Sequence, residues 1–477
     1  MKSKVQNPTG SWSGLPADIC ICIMAFLSPR DILSLRKVSK SLADITRKRS
    51  VWIHALRCVC MEHDVYAPSF SLAEMSIHEL EHTATASRRF TSHVWTNFRL
   101  GRTVAPLSIR YMEPLALGEG FQHPRLIPGG RYLIAVFHCT LHLWDLANES
   151  NIPSTSFTID GVTEIRGIWT RNCTPDVLVF VSTTGFDSVF RCHVFSVFPP
   201  ASMPHFRLFA PVLSLPIANS VPNILYITTI HVAVGADSSI VLWNYVHDSW
   251  VSWVAPLIRT NDDLFLCHNN VVMFFAAEAE VHVASIPTLS PRSGTMTPPE
   301  IDTLPIVQKF QVRRYDQAKP LISCVGANRR LFHGRETITV EQPLHIDIMS
   351  LNATKLMITH FALLPAASEN TSLCELVALG ESPLEISYYK SRSLFLEWIN
   401  PSMVADFEIE DNLIHLSLMA IRGTESTFAS GVLEIPELLA NDGNSDFCLF
   451  SGRTCARIPS GTGFKMMIMD YLMPPPH

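Results

Sequence analysis

The clearest chemical pattern in the sequence is HELEH at residues 78–82, an HExxH motif. On a helix this spacing places two imidazoles one turn apart on one face, with a glutamate able to act as general base on a zinc-bound water. A zinc hydrolase also needs a third ligand, and residues 83–92 read TATASRRFTS before His93. Because the extended motif with a glycine and a third histidine is missing, we interpret HELEH as a charged helix face. A zinc-dependent hydrolase stays open as an alternative.

A second group of potential metal ligands follows Trp52 and comprises His54, Cys58, Cys60 and His63. These spacings match no common zinc module, and the first two residues are four apart, where a helix would place them anyway. The sequence also lacks a phosphate-binding GxxxxGK[ST] loop and a GxSxG nucleophile elbow. We therefore predict no catalytic residue, no bound metal and no cofactor.

Two arginine pairs, Arg313-Arg314 and Arg329-Arg330, have the chemistry to hold a phosphorylated target segment through charge-assisted hydrogen bonds. Paired surface arginines are common, so we leave the target-binding residues unassigned. Aromatic residues such as Trp250 and Trp253 are expected to pack between repeats rather than to bind a target.

The composition is that of a folded intracellular protein. The chain has 477 residues, enough for more than one domain, and is 47% hydrophobic and 17% charged, which excludes a mainly disordered chain. No apolar run approaches the length of a membrane span, and the N-terminal MKSKVQNPTG lacks the apolar segment of a signal peptide. The 12 cysteines are scattered without a CxxC pair, as expected of reduced thiols. We expect a cytoplasmic and/or nuclear protein with no membrane partner.

The charge is unevenly distributed along the chain. Residues 1–100 contain 13 Lys and Arg against 8 Asp and Glu, whereas the remaining residues contain 24 against 35. An acidic main part argues against binding to nucleic acid.

The elements that would position a functional surface are most compact in residues 15–56, which contain three short helical patterns. Ile19, Ile23, Phe26 and Leu27 recur at helical spacing. Residues 28–31, Ser-Pro-Arg-Asp, form a helix start with a serine N-cap, a proline at the first position and an early carboxylate. About forty residues cannot bury this much apolar surface alone, so the segment needs the rest of the chain or a partner.

The order of these residues resembles the F-box. The resemblance covers Leu15 to Trp52 nearly continuously, with Leu-Pro, Asp18, an aliphatic helix ending in Phe-Leu, Ser-Pro-Arg-Asp-Ile-Leu, Val-Ser-Lys and the tryptophan. Glu is commoner than Asp at position 18, but the charge is kept. In this family the element docks onto a Skp-type adaptor and through it onto a cullin. The resemblance implies adaptor contacts at Leu15, Pro16, Ile19, Ile23, Leu27, Pro29, Ile32, Leu33, Leu35, Val38, Leu42 and Trp52.

A helical linker is predicted after this segment. Residues 76–79, Ser-Ile-His-Glu, have the form of a capping box, and Leu80, Ala84 and Ser87 continue one helix face. Trp95 follows near the expected start of the next domain. A helix here would fix the distance between the two domains.

From about residue 101 the apolar period changes to that of strands. Segments 131–146, 176–198, 223–245 and 263–286 each read as strands around a turn and recur every 40–50 residues, which indicates a propeller built from blade repeats. Tips such as Trp144-Asp145 resemble degenerate WD repeats. We predict a multi-domain protein, helical and then all-β, with a disordered lead at 1–12, an F-box at 13–57, a helical linker at 58–100 and a propeller of seven or eight blades at 101–477.

This order of domains is similar to a large family of fungal F-box proteins. The resemblance implies a non-catalytic substrate receptor of a Skp-cullin-F-box ubiquitin ligase, with the adaptor at the F-box and an unknown target protein at the propeller. A scaffold that works without a cullin is the other alternative to this function.

Overall fold

The computed structural model describes residues 15–472 of the chain with internal gaps. These gaps are residues 64, 114–119, 149, 171–173, 237–238, 255–262, 268–269, 276–279, 293–296, 303, 312–322, 328–343, 353–354, 366–373, 385–394, 401–402, 411–412, 423–424, 437–444 and 461–462. The predicted lead at residues 1–12 and both arginine pairs lie outside the described residues.

Six α-helices occupy the N-terminal part of the described chain. They are α1 (Ala17–Met24), α2 (Pro29–Leu35), α3 (Lys40–Thr46), α4 (Arg49–Glu62), α5 (Ile77–Ala84) and α6 (Ala86–Arg99), with a short 3-10 helix at Ala67–Ser69. The predicted boundary between residues 57 and 58 falls inside α4, so a continuous helix crosses it. None of the described helices is both long and apolar enough to span a membrane.

The predicted linker helix is two helices. The capping box at Ser76 is present and starts α5, as predicted, but this helix ends at Ala84 and α6 begins at Ala86. Thr85 lies between them, and its hydroxyl donates to the carbonyls of Glu81 and His82. The apolar periodicity does not reveal this break, because it continues on one face through Leu80, Ala84 and Ser87.

The remaining described residues include seven sheets, most of four strands, in which one strand pair of the third sheet is parallel and the other pairs are antiparallel. The first sheet contains β2 (Gln122–Leu126), β3 (Tyr132–Phe137), β4 (Thr140–Asp145) and β5 (Thr155–Thr158), and the second contains β6 (Val162–Thr170), β7 (Val177–Thr184), β8 (Val189–Val197), β9 (Arg207–Leu208) and β10 (Leu213–Pro216). The third sheet contains β11 (Asn223–Ile227), β12 (His231–Ala236), β13 (Ser239–Asn244) and β14 (Ser249–Val254), together with the short strands β18 (Ser290–Pro291) and β19 (Glu300–Ile301). The fourth sheet contains β15 (Asp263–Cys267), β16 (Asn270–Phe275), β17 (Glu280–Ser285) and β20 (Ile306–Gln311).

The last three sheets complete a ring. The fifth sheet contains β21 (Ser323–Ala327), β22 (Leu344–Asn352), β23 (Lys355–Pro365) and β24 (Cys374–Leu384). The sixth contains β25 (Phe395–Asn400), β26 (Met403–Glu410), β27 (Leu413–Arg422) and β28 (Glu425–Glu434). The seventh contains β29 (Ser445–Cys448), β30 (Arg453–Ser460) and β31 (Gly463–Asp470) together with β1 (Ser108–Met112). The β1–β31 pair, with Ser108 opposite Asp470, joins the two ends of the strand region. Strand β2 of the first sheet also contacts β6 of the second sheet and β29 of the last sheet. This arrangement is a β-propeller, as predicted.

Apolar residues of neighbouring sheets fill the spaces between the blades. Trp169, Trp243 and Trp250 lie in one cluster between the second and third sheets, and Trp253 lies in the next cluster. All four indoles are about 1% exposed or less. The expectation that Trp250 and Trp253 pack between repeats is confirmed.

The N-terminal helices and the propeller share one hydrophobic core. The cluster that contains Trp52 and Leu56 of α4 also contains Trp144 of the first sheet and Phe450 and Ile468 of the last sheet. A second cluster packs α6 against the last two sheets. Arg131 reinforces the first junction, because its guanidinium binds Asp145 at 2.8 Å and donates to the Ser69 carbonyl at 3.0 Å. The helices are therefore not tethered to the propeller but packed against it.

One buried and one partly buried histidine predict how stability depends on pH. Burial lowers the pKa of His193 in β8 and of His231 in β12 to about 4, from an ordinary value of 6.5, with smaller contributions from Arg191 and His247. The unfolded chain binds these protons first, so stability should be full above about pH 6.5 and fall as the pH drops toward 4. We expect a loss on the order of 2 kcal/mol per histidine at pH 4.5.

Urea unfolding at pH 7.5 and at pH 4.5 measures this loss. His231→Gln is the matched variant, because glutamine can keep the hydrogen bond to Asn244 without titrating. The variant should lose less stability than the natural chain on acidification. Equal losses in the two proteins would contradict the assignment for this histidine.

Candidate functional site

Helix α1 is apolar on two faces. Its buried residues are Cys20 and Met24, each 1% exposed, and they belong to the shared core. Ile19 lies on the other side and is 44% exposed, although isoleucine is one of the residues most often buried. The strong Ile19/Ile23 periodicity that predicts the helix therefore does not mark its core-facing side.

Phe26 follows the end of α1 and is the most exposed apolar side chain of the N-terminal helices. Its amide donates to the Ile23 carbonyl at 3.1 Å, so it lies in the closing turn and not on the helix face that the sequence predicts. The ring is 90% exposed. The next helix begins as predicted, because the Ser28 hydroxyl accepts from the Asp31 amide and Pro29 occupies the first turn.

Four exposed apolar side chains lie within 24 residues of sequence on these first elements. We call them the N-terminal apolar surface, and they are Leu15, Ile19, Phe26 and Val38, which are 41%, 44%, 90% and 69% exposed. They come from the start and end of α1 and from the turn between α2 and α3. Phe26 and Val38 expose most of their apolar area, and exposed apolar groups on neighbouring elements are candidates for contact with a partner.

The twelve residues predicted to contact an adaptor fall into three groups. Leu15, Pro16, Ile19 and Val38 are exposed, while Ile23, Leu27, Pro29, Leu33 and Leu35 are partly buried. Ile32, Leu42 and Trp52 are at most 3% exposed and belong to the chain's own core. These last three have no surface to offer a partner. Phe26, which the predicted set omits, is the most accessible apolar group of the N-terminal helices.

Arg36 holds the elements below this surface together. Its guanidinium forms two hydrogen bonds with the Glu81 carboxylate of α5, at 3.1 and 2.8 Å, and donates from Nε to the Thr46 hydroxyl at 3.2 Å. The guanidinium carbon also lies 5.7 Å from the centre of the Trp52 ring. A two-pronged charged pair of this kind is geometrically specific. It fixes α2 relative to α3, α4 and α5.

Helix α4 is fixed in the same way at its start. The Trp52 indole donates to the Thr46 carbonyl at 2.8 Å, and the Arg49 guanidinium donates to the carbonyl of Ala73 at 3.0 Å and to those of Leu72 and Met75. These contacts join α4 to the segment that precedes α5. The N-terminal apolar surface therefore sits on a rigid support.

The HELEH motif is used structurally at one of its three key residues. The Glu79 carboxylate accepts from the Ser76 amide in the capping box of α5, which is not the task of a general base. The rings of His78 and His82 stack with their centres 6.2 Å apart. Among the residues that the structure describes, no cluster of three or more His, Cys, Asp or Glu side chains is placed to hold a metal ion.

The His54 and Cys58 group also has structural contacts. His54 Nε2 lies 3.0 Å from the Ala25 carbonyl and 3.3 Å from Cys58 Sγ, so it links α4 to the end of α1. Burial raises the pKa of Cys58, with a further contribution from Glu62, and raises that of Cys60 to about 12. Both thiols are therefore protonated at neutral pH in this structure.

Comparison with protein families gives one match. Residues 12–58 match the F-box-like family model, which confirms the F-box prediction for this segment. No curated protein matches the chain at a significant level.

Solved structures similar to the chain include several propellers. Hsv2 from Kluyveromyces lactis has 12% identity and a TM-score of 0.39, over 65% of this chain and 84% of its own. The WD40 domain of SCAP from fission yeast has 10% identity and a TM-score of 0.38, over 74% and 82%. The Nup133 β-propeller domain from Vanderwaltozyma polyspora has 7% identity and a TM-score of 0.38, over 76% and 97%. The propeller assignment rests on the sheet arrangement described above.

Proposed function

We propose that this protein, an F-box segment joined to a β-propeller, is the substrate receptor of a Skp-cullin-F-box ubiquitin ligase. A chain that combines an F-box with a propeller has the organisation of a protein that links other proteins together. The observation that carries the finer proposal is the N-terminal apolar surface, because four apolar side chains on a rigid support stay exposed to water unless a partner covers them. A Skp-type adaptor is the partner that the F-box implies.

We assign the proposed adaptor contacts by how exposed each side chain is. The exposed and partly buried residues of the predicted set, together with Phe26, would touch the adaptor directly. Ile32, Leu42 and Trp52 would contribute indirectly, because these buried side chains hold the helices in the docking conformation. A fully desolvated apolar anchor in such an interface typically contributes about 2 kcal/mol or more.

The proposed mechanism is proximity. The shared core fixes the distance between the adaptor-binding surface and the propeller, and a target held by the propeller would present its lysines to a conjugating enzyme carried by the cullin. The receptor raises the effective concentration of the acceptor lysine and supplies no reacting group of its own. The cytoplasm and/or the nucleus is the proposed location.

Reconstitution with purified partners tests the proposal. We expect the chain and a Skp-type adaptor to form a complex that recruits a cullin with its RING subunit, measured by size-exclusion chromatography. Binding to the adaptor without recruitment of the cullin would favour the scaffold alternative, and no binding to the adaptor would overturn the proposal. Point variants suit this test better than deletion of residues 13–57, because the deletion removes part of the shared core.

A further inference from the structure

The two faces of the propeller differ in what covers them. The Tyr66 amide donates to the Pro128 carbonyl in the β2–β3 connection, and the Tyr66 hydroxyl donates to the Pro175 carbonyl in the β6–β7 connection. At Gly452, between β29 and β30, the Phe90 ring of α6 lies so close that a side chain would clash. The helices therefore cover the face with these connections. Because antiparallel strands alternate in direction, the β3–β4 and β7–β8 turns lie on the opposite face, which we call the open face because none of the described helix contacts reaches it.

The β7–β8 turn holds an aromatic ring in water. Phe186 lies in the middle of this turn and is fully exposed. Next to it, the Asp187 carboxylate accepts from the Arg191 guanidinium, at 3.1 Å for Nη1, and from the Val189 amide at 3.2 Å. The Ser188 carbonyl accepts from the Ile217 amide at 2.9 Å. Hydrogen bonds at Asp187 and Ser188 thus brace the backbone directly after a side chain that is normally buried.

The backbone of this region is strained at more than one position. Ser188 has a φ of 55°, and both residues of the β3–β4 turn, His138 and Cys139, have φ values of 47° and 58°. These left-handed conformations favour glycine or asparagine and cost on the order of 1 kcal/mol or more each. The Ile159 amide donates to the Cys139 carbonyl at 2.8 Å, which links this turn to the segment leading into β6. Strain and an exposed aromatic occur together on the open face of the first two blades.

The charges around Phe186 leave a carboxylate in excess. Arg191 forms an ion pair with Asp187 and also interacts with Asp160, and Arg166 forms an ion pair with Glu164. Two cations thus face three carboxylates. Val162, which pairs with Thr184 beside the turn, is 64% exposed and extends the apolar part.

We propose that this surface, defined by Phe186, Val162 and Asp160, binds a target segment in which an apolar side chain is flanked by lysine or arginine. The apolar side chain of the target covers Phe186 and Val162, while its cations are attracted by the excess carboxylate. The braced backbone lowers the entropic cost of binding, because the turn that carries Phe186 does not have to be ordered. This inference rests on the proposed function, since it names the class of target that the receptor presents.

Selection from a library of random 12-residue peptides, displayed on phage, tests the inference on the full chain in complex with its adaptor. Peptides are selected on the natural chain alone, and the enriched peptides are then measured on Phe186→Ser. We expect enriched peptides to contain an aliphatic or aromatic residue next to Lys or Arg, and to bind Phe186→Ser at least tenfold more weakly. Asp160→Lys should weaken binding severalfold. Met203→Ser is the matched control, because Met203 is 84% exposed and lies in the β8–β9 connection toward the helix-covered face.

Enrichment of acidic peptides, or equal binding by the natural chain and Phe186→Ser, would overturn the inference. Adaptor binding is measured on the same samples. An adaptor complex that forms normally while no basic peptide depends on Phe186 leaves the proposed function intact and removes only this inference. Loss of the adaptor complex in the natural chain would be a failure of the proposed function instead.

Discussion

Replacing Phe26 by aspartate should weaken adaptor binding about 30-fold or more while leaving the fold intact. The ring is 90% exposed, so the substitution removes little buried area from the chain itself. In the proposed complex the same ring is covered, and a carboxylate in its place would be desolvated without a partner. Loss of about 2 kcal/mol from one anchor corresponds to that change in the dissociation constant. Isothermal calorimetry with a purified Skp-type adaptor measures it.

The matched control is Phe186→Asp. It makes the same chemical change at another fully exposed phenylalanine, on the open face of the propeller away from the helices. We expect the control to bind the adaptor like the natural chain and both variants to unfold at the natural temperature. Natural affinity in Phe26→Asp would show that the docking surface is placed wrongly. Leu27→Asp is less informative, because Leu27 packs partly against the shared core and its loss also affects folding.

Replacing Trp52 by alanine should destabilise the whole chain by about 3–5 kcal/mol. The indole is completely buried, donates to the Thr46 carbonyl, and lies in the cluster that joins the helices to the first and last sheets. The cavity would therefore open at the junction and not in an isolated helical domain. Chemical denaturation followed by both far-UV circular dichroism and tryptophan fluorescence measures the effect.

Trp52→Phe is the companion variant. It keeps much of the buried volume and loses the hydrogen bond, so we expect a smaller loss of about 1–2 kcal/mol. Helical and strand signals should shift together in both variants, since the core is shared. If Trp52→Ala melts only the helices and leaves the propeller transition unchanged, the two parts do not stabilise each other. A direct adaptor contact at Trp52 would instead reduce binding without reducing stability.

Local sequence patterns determined the individual elements. The serine and proline at residues 28–29 and the capping box at Ser76 specify helix starts through contacts within one turn, and both are present in the structure. Strand segments such as 131–146 appear as β3 and β4, because alternation and turn residues also act locally. The F-box could be recognised because its motif is nearly continuous in sequence. The break at Thr85 was missed, because the apolar spacing of Leu80, Ala84 and Ser87 continues through it.

Which apolar residues face a partner was decided only by the tertiary structure. The predicted docking set mixes Ile19, which is exposed, with Ile32 and Trp52, which are buried, because apolar spacing gives the same signal for a core and for an interface. Phe186 could have been noticed as an aromatic residue within a predicted turn, but its bracing contacts and the face on which it lies depend on ring closure.

The sequence by itself determined the order of the parts: a helical F-box segment, further helices, and then repeated strands. Each part is encoded by short-range periodicity and by helix caps, which lie within its own segment of the sequence. The packing of the helices onto the first and last blades arises from residues hundreds of positions apart, such as Trp52 and Ile468 in one core. Only the folded chain brings these distant residues together, and its packing decides which apolar side chains remain exposed to solvent.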